Sequence, residues 1–280
     1  MVVDLARGRT EVAIDWNKTD IDIEGRGGDR GLRGICIVGD SVFVLSSSAL
    51  LRFDLGLNLE QRYTNPFLKH GHELCFGGGL LYATSTGFDS ILAFDPVTER
   101  FTSGFHLRNE HNQLKLLAFD ARSLNGPQAS NRFHLNSVAC DESGIYFAGL
   151  RSPGLLHSDG RKLQRKAPLP RGTHNAQPFR GGILFNDTEG DRVVAQHADR
   201  RIEMDVPRSF EGRITGSGDD RLARPYFARG LAVIDHRFIV GGSSPSTLTL
   251  YDLDEAQAVH QLNLTMDVRN AIHGLAVLPS

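Results

Sequence analysis

Cysteine, net charge and long apolar runs are all scarce in this chain, and each shortage narrows what it can be. Three cysteines, Cys36, Cys75 and Cys140, are too few and odd in number for a disulfide framework, and no Cys-x-x-Cys occurs. Each falls in a predicted strand, so reduced, buried thiols are expected. Lys and Arg number 31 against 33 Asp and Glu, so no broad basic field marks the chain for nucleic acid or an anionic membrane. No stretch approaches the roughly 18 apolar residues of a spanning helix, and no membrane partner is expected. Asp4 interrupts the opening apolar residues where a signal peptide would continue, which makes a cytoplasmic location the expectation. The Gly-x-Ser-x-Gly elbow, the phosphate-cradling loop and the dinucleotide fingerprint are missing, and His72-Glu73 lacks the second histidine of a zincin helix.

What the chain does have is repetition. A polar residue stands before a short apolar strand at Arg33, His72, Asn136, Asn175, Arg229 and His273. Ten residues after the first five of these, a second strand opens at Phe43, Tyr82, Tyr146, Phe185 and Ile239. Turn residues lie between, as at Gly39-Asp40, Gly77-Gly78-Gly79 and Arg180-Gly181-Gly182, so one hairpin is used again and again. A third apolar strand and a fourth, more polar one follow in most copies, such as Leu50–Leu55 and Gln61–Tyr63. Four short strands per unit, polar outermost, describe a β-propeller blade.

The anchors are spaced 39, 64, 39, 54 and 44 residues apart. Blades of about 40 to 45 residues are usual, so the two long intervals carry insertions, near 108–131 and 207–226. Both enter before an inner strand and are expected over one face of the disc. Glu110 to Ala121 shows helical periodicity through Leu114, Leu116, Leu117 and Ala118, whereas the second insertion reads as irregular. The glycine cluster Gly25 to Gly31 reads as a linker into the first blade. The chain ends on an inner strand, His273 to Leu278, and begins with Val2–Leu5 and Glu11–Trp16, which resemble outer strands without an inner one. Joining them predicts a single all-β domain over 1–280: a six-bladed propeller closed by pairing its two ends.

Inner strands surround a propeller's axis, so their first residues gather at one mouth of the channel. Five of the eleven histidines lie within two residues of an anchor. That distribution suits a solvated polar rim, and it equally suits converging imidazoles on a transition metal. The candidate ligands are His72, His134, His174 and His273, for iron, zinc, manganese or copper. Arg33 and Arg229 would clamp an anionic substrate, with Asn136, Asn175 and Gln177 as further substrate contacts or as backbone bridges. Glu73 is the candidate general base or ligand-orienting group, and Tyr226 in the second insertion would close over the site.

Phe133-His-Leu-Asn-Ser-Val-Ala, Thr173-His-Asn-Ala-Gln-Pro and Ala228-Arg-Gly-Leu-Ala-Val resemble segments of a largely uncharacterised bacterial propeller-like family, in which His-Leu-Asn-Gly-Leu-Ala, Pro-His-Ser-Pro and Thr-Arg-Gly-Leu recur in that order. Ser137 and Asn175 depart from it. The likeness is good over roughly 130–245 and implies fold, not reaction. A more distant likeness of architecture is to the four-histidine iron site of carotenoid-cleaving oxygenases and to propeller lyases. The expectation is a metal-dependent enzyme, of lyase or oxygenase type, acting on a small anionic molecule at the axial mouth. The alternative is a non-catalytic propeller binding an anionic ligand or a protein segment.

Overall fold

The structure, a computed structural model, describes residues 1–14, 31–216 and 224–278. Those residues form an all-β propeller of five blades, with no helix among them. Blade 1 comprises Ile35–Val38, Ser41–Leu45, Ala49–Asp54 and Leu59–Thr64. Blade 2 opens with Gly71–Gly77, Leu80–Ser85 and Ser90–Asp95, and blades 3, 4 and 5 repeat the pattern from Leu135–Asp141, Thr173–Phe179 and Leu231–Val233 outward. Every blade is an antiparallel meander in chain order.

Alternation builds the interfaces between blades. In the second strand of blade 1, Phe43 and Leu45 enter a cluster with Leu74, Leu81 and Phe94 of blade 2, while Val42 and Val44 point to the opposite face and pack with Ile14 and Leu32. Successive side chains of a strand face opposite ways, so one strand serves two neighbours. Further clusters join blades 2 to 3, 3 to 4 and 4 to 5. Each buried Leu or Phe contributes about 1.5–3 kcal/mol, so these contacts hold the ring.

The first hairpins share a register that sharpens the repeat. They close with Val38↔Ser41, Gly77↔Leu80 and Asp141↔Gly144, five and eight residues after Arg33, His72 and Asn136. In blade 4 the closing pair is Phe179↔Gly182, five and eight residues after His174. The structural equivalent of His72 is therefore His174 rather than Asn175. The same register shift accompanies both, between Gly71 and Leu74 and between His174 and Gln177. Asn175 is instead equivalent to Glu73.

The expected helix from Glu110 to Ala121 is a strand. Arg100–Glu110 and Gln113–Asp120 form a hairpin across His111-Asn112, both with φ near +50° to +62°, as a two-residue primed turn requires. Leu114 and Leu116 alternate inward against the blade 2–3 cluster, so the operative period is two; Leu117 and Ala118 only mimicked a helical face. This hairpin makes blade 2 five-stranded and places Gln113–Asp120 at its outer edge, away from the mouth. In the second insertion, Thr215 pairs with Met266 and Val268 near blade 5; residues 217–223 lie outside the described residues.

At the ends, Val2–Asp4 pairs only with Arg9–Glu11 among the described residues. Asp15, Trp16 and the cluster from Gly25 to Arg30 lie outside them. The segment Ile272 to Leu275 is not a strand, yet it lies between blades 5 and 1: a Cβ on Gly274 would stand 1.8 Å from Arg33 O, and one on Gly242 2.6 Å from Ile272. The thiol expectation is also corrected. Cys75 and Cys140, on the inner strands of blades 2 and 3, form a disulfide, with Cα atoms 6.0 Å apart. Gly77 gives Cys140 room, since a Cβ there would meet the Cys140 Cβ at 2.6 Å. Cys36 stays a thiol, pushed up to about 11 by burial.

Candidate functional site at the axial mouth

The ring positions at Arg33, His72, Asn136, His174 and Arg229 are tied one to the next by a repeated latch, and His273 stands beside Arg229. Four blades donate a side-chain hydrogen bond to the carbonyl that precedes the next blade's ring position. Arg33 Nη1 donates to Gly71 O (3.1 Å), Thr86 Oγ1 to Leu135 O, Asn136 Nδ2 to Thr173 O (3.1 Å) and Thr188 Oγ1 to Ala228 O (2.8 Å). Asn136 thus serves as a bridge between blades, the second of the two roles its sequence position allowed.

The two threonines also fix the histidines. His72 Nδ1 lies 2.8 Å from His70 O and 2.9 Å from Thr86 Oγ1. His174 Nδ1 lies 3.0 Å from Gly172 O and 2.8 Å from Thr188 Oγ1. Each threonine's single proton is committed to a carbonyl, so each Nδ1 must carry its own proton and each Nε2 a lone pair. His134 follows the rule, with Nδ1 2.9 Å from Asn131 Oδ1. His70, His134 and Gly172, two residues before their ring positions, all have φ between +55° and +78°. That backbone turn aims the carbonyls of His70 and Gly172 at the imidazoles.

Burial keeps these rings neutral. His72, His174 and His273 are held well below the usual imidazole range, first by lost hydration and then by nearby guanidinium charge. His134 is pushed down to about 3 by burial and by Arg151, Arg229 and Arg33. Its place is set by Asp89, whose carboxylate accepts from Ser130 Oγ (2.7 Å) and from the backbone N–H of Arg132, Phe133 and His134.

Two more groups complete the channel. Asn175 Nδ2 donates to Glu73 Oε2 across the axis, while its Oδ1 accepts from Gly230 N and Asn186 Nδ2, each at 2.9 Å. Lost hydration raises the Glu73 carboxyl to about 8, so it holds its proton at neutral pH. On the other side Arg229 Nη1 lies 3.3 Å from His273 Nε2, and its guanidinium sits 4.3 Å above the Phe227 ring. No ion pair joins Arg229 to a carboxylate among the described residues, its Nε is buried without a partner, and burial together with Arg33 pushes it well below its usual range. The His174 Nε2 is likewise buried without a partner.

The fit to a divalent metal is poor. His72 and His134 approach each other, with ring centroids 5.4 Å apart. Among the described residues, however, no three His, Cys, Asp or Glu side chains converge to hold an ion. An ion on His72 Nε2 would also sit against Arg33, 3.4 Å from that nitrogen, and one on His273 against Arg229. Tyr226 stands apart from the ring: it packs with Val206, Ala228 and Ile214, under the Arg208 guanidinium. Gln177 pairs with Leu184 further along its strand. Sequence reading missed Phe227, Asp89, Thr86 and Thr188; the last two stand fourteen residues after His72 and His174, a spacing that repeats. Two surface clefts, of about 660 and 500 Å³, lie off the axis around the blade 2 hairpin and contain no ring residue.

No protein-family model matches the sequence, and no curated protein matches it. In fold the chain is similar to solved propellers. A streptogramin B lyase structure aligns with a TM-score of 0.55 at 12% identity, over 88% of this chain and 87% of that one. AztD from Citrobacter koseri gives 0.49 at 13%, over 86% and 75%. A catalytically inactive virginiamycin B lyase from Staphylococcus aureus, with quinupristin, gives 0.48 at 10%, over 84% of this chain and 66% of that one, so the chain spans just under two thirds of its length. At such identities the likeness concerns fold alone.

Proposed function

We propose that the axial mouth binds a small anionic molecule, with Arg229 as the principal charge partner and Arg33 beside it. One observation carries this reading: Arg229 is a guanidinium in a desolvated channel, with its Nε unpartnered and no carboxylate to balance it among the described residues. Such a charge is costly unless something neutralises it, and an oxyanion offers the geometry a guanidinium prefers. Thermal unfolding in rising phosphate or citrate tests it. The midpoint should climb with ligand, and Arg229→Gln should abolish the climb; an unchanged response in that variant would refute the assignment.

A second reading, lyase-type catalysis on the bound anion, is favoured by the pairing of a protonated Glu73 with the unprotonated Nε2 of His174, an acid and a base on one channel. Elimination needs both, and no step is assigned to a metal. Recovery of every bound anion unaltered after long incubation would leave binding alone. We further read the ring as six-positioned, with Ile272 to Leu275 standing where a sixth inner strand would, a reading supported by the packing of Gly274 on Arg33. The Cys75–Cys140 disulfide favours an oxidising compartment over the cytoplasm.

A further inference from the structure

The ring is polarised, and the polarity describes its ligand. On one arc, formed by blade 5, the C-terminal segment and blade 1, stand Arg229, His273 and Arg33, and the next residue is glycine in all three: Gly230, Gly274 and Gly34. The backbones approach too closely there for any side chain, since a Cβ on Gly34 would lie 2.7 Å from Leu74 N. On the opposite arc, blades 2, 3 and 4, stand His72, His134 and His174, each with Nδ1 engaged as a donor and Nε2 as an acceptor, and the residues after the ring positions His72, Asn136 and His174 are Glu73, Ser137 and Asn175. One arc therefore offers guanidinium N–H groups and the other offers lone pairs. The His174 Nε2, buried with no donor, is the sharpest of these. A buried acceptor left unmatched costs about 1–3 kcal/mol, and a ligand hydroxyl would satisfy it.

We infer that the ligand is a hydroxylated anion, a hydroxy-carboxylate or a sugar-type phosphate, whose charged group rests on the Arg229–His273–Arg33 arc while a hydroxyl donates to His174 Nε2. This rests on the anion-binding reading above and adds to it a demand for a donor. A plain anion would neutralise one arc and leave the other unmatched. Thr188 is then a positioning residue, because its hydroxyl oxygen, together with Gly172 O, holds the His174 tautomer and orientation that accept.

The probes are D- or L-glycerate and propionate, three-carbon monocarboxylates that differ by two hydroxyls, titrated into the full chain and followed by NMR. Glycerate should bind about ten-fold more tightly than propionate, the scale of a hydrogen bond that relieves a buried acceptor. His174→Ala should narrow that ratio to about two-fold or less. Thr188→Val, which keeps the imidazole but leaves Gly172 O as the sole acceptor for its Nδ1 proton, should narrow it in part and shift the His174 ring nitrogen resonances. Both variants are checked for a dispersed, folded amide spectrum, and the two together guard against a fold defect in either. Equal affinity for both probes in the wild type, or a ratio that survives both variants, overturns the donor requirement while leaving anion binding intact. Failure of both probes to bind would overturn both readings.

Discussion

A histidine can present an acceptor only if something else decides where its proton sits. Here a backbone carbonyl and a threonine decide together, twice, through the same pair of contacts. Asp89 works at the same scale, gathering four donors from 130–134 into one carboxylate and so fixing the segment that carries His134. Hydrogen bonds to a buried charge are worth about 1.5–3 kcal/mol each and do not add fully. Asp89→Ala should therefore cost at least about 3 kcal/mol in urea unfolding and bring hydrogen exchange to residues 130–134. A cost under about 1 kcal/mol would show that the segment is held otherwise.

The ring's titration gives a second expectation. The histidines have folded pKa values below their unfolded ones, so the stability they contribute is present above about pH 6.5 and lost as pH falls below it. Glu73 has its value raised to about 8, so its contribution is full below about pH 4.5 and fades as pH rises to 8. Between pH 4.5 and 6.5 the histidines outnumber the single carboxyl and stability should rise; from 6.5 to 8 it should decline. Denaturation across pH 4.5 to 8 checks this, and Glu73→Gln should flatten the alkaline decline alone. Much of the residue scale is legible: Arg33, His72, Arg229 and His273 stand in the sequence as polar residues before apolar segments, and His174 one place before Asn175, the position the repeat selects. The threonines are not, because each lies on a different strand from the ring it holds, and Phe227 reaches Arg229 only through the folded loop.

Among the elements, the hairpin is the unit the sequence states most clearly, since its turn residues and its apolar alternation agree. Where two polar residues adjoin, as at His174-Asn175, the hairpin register decides which one takes the ring position, and a one-residue difference in register leaves no mark in composition. The segment from Gln113 to Asp120 was misread for a related reason: four apolar residues in five satisfy both periods, and only the neighbouring long strand selects the extended one. The closing segment carries its own test. Any side chain at Gly274 meets the Arg33 carbonyl, which is backbone and cannot step aside. Gly274→Ala should destabilise the protein by about 1–3 kcal/mol, with exchange rising at both Arg33 and Arg229. A neutral substitution would place the C-terminal segment elsewhere than between blades 5 and 1.

For the whole molecule, packing between blades matters more than any one blade. No blade buries both its faces alone, and the apolar clusters lie between successive sheets. The fold brings together side chains far apart in the chain, as in the hydrogen bond between Glu73 and Asn175, 102 residues apart, and that convergence makes the site. It also explains why Cys75 and Cys140, separated by 65 residues, meet when their sequence positions gave no reason to pair them. Mass measurement of the chain alkylated in denaturant should show one free thiol, Cys36, before reduction and three after it.

The central claim is that the axial mouth holds an anion between guanidinium groups. Diffraction from crystals soaked in selenate, an oxyanion with an anomalous signal, tests it most directly. The account predicts a peak on the axis within hydrogen-bonding reach of Arg229, lost in Arg229→Gln crystals. Occupied sites on the outer surface together with an empty mouth would contradict it.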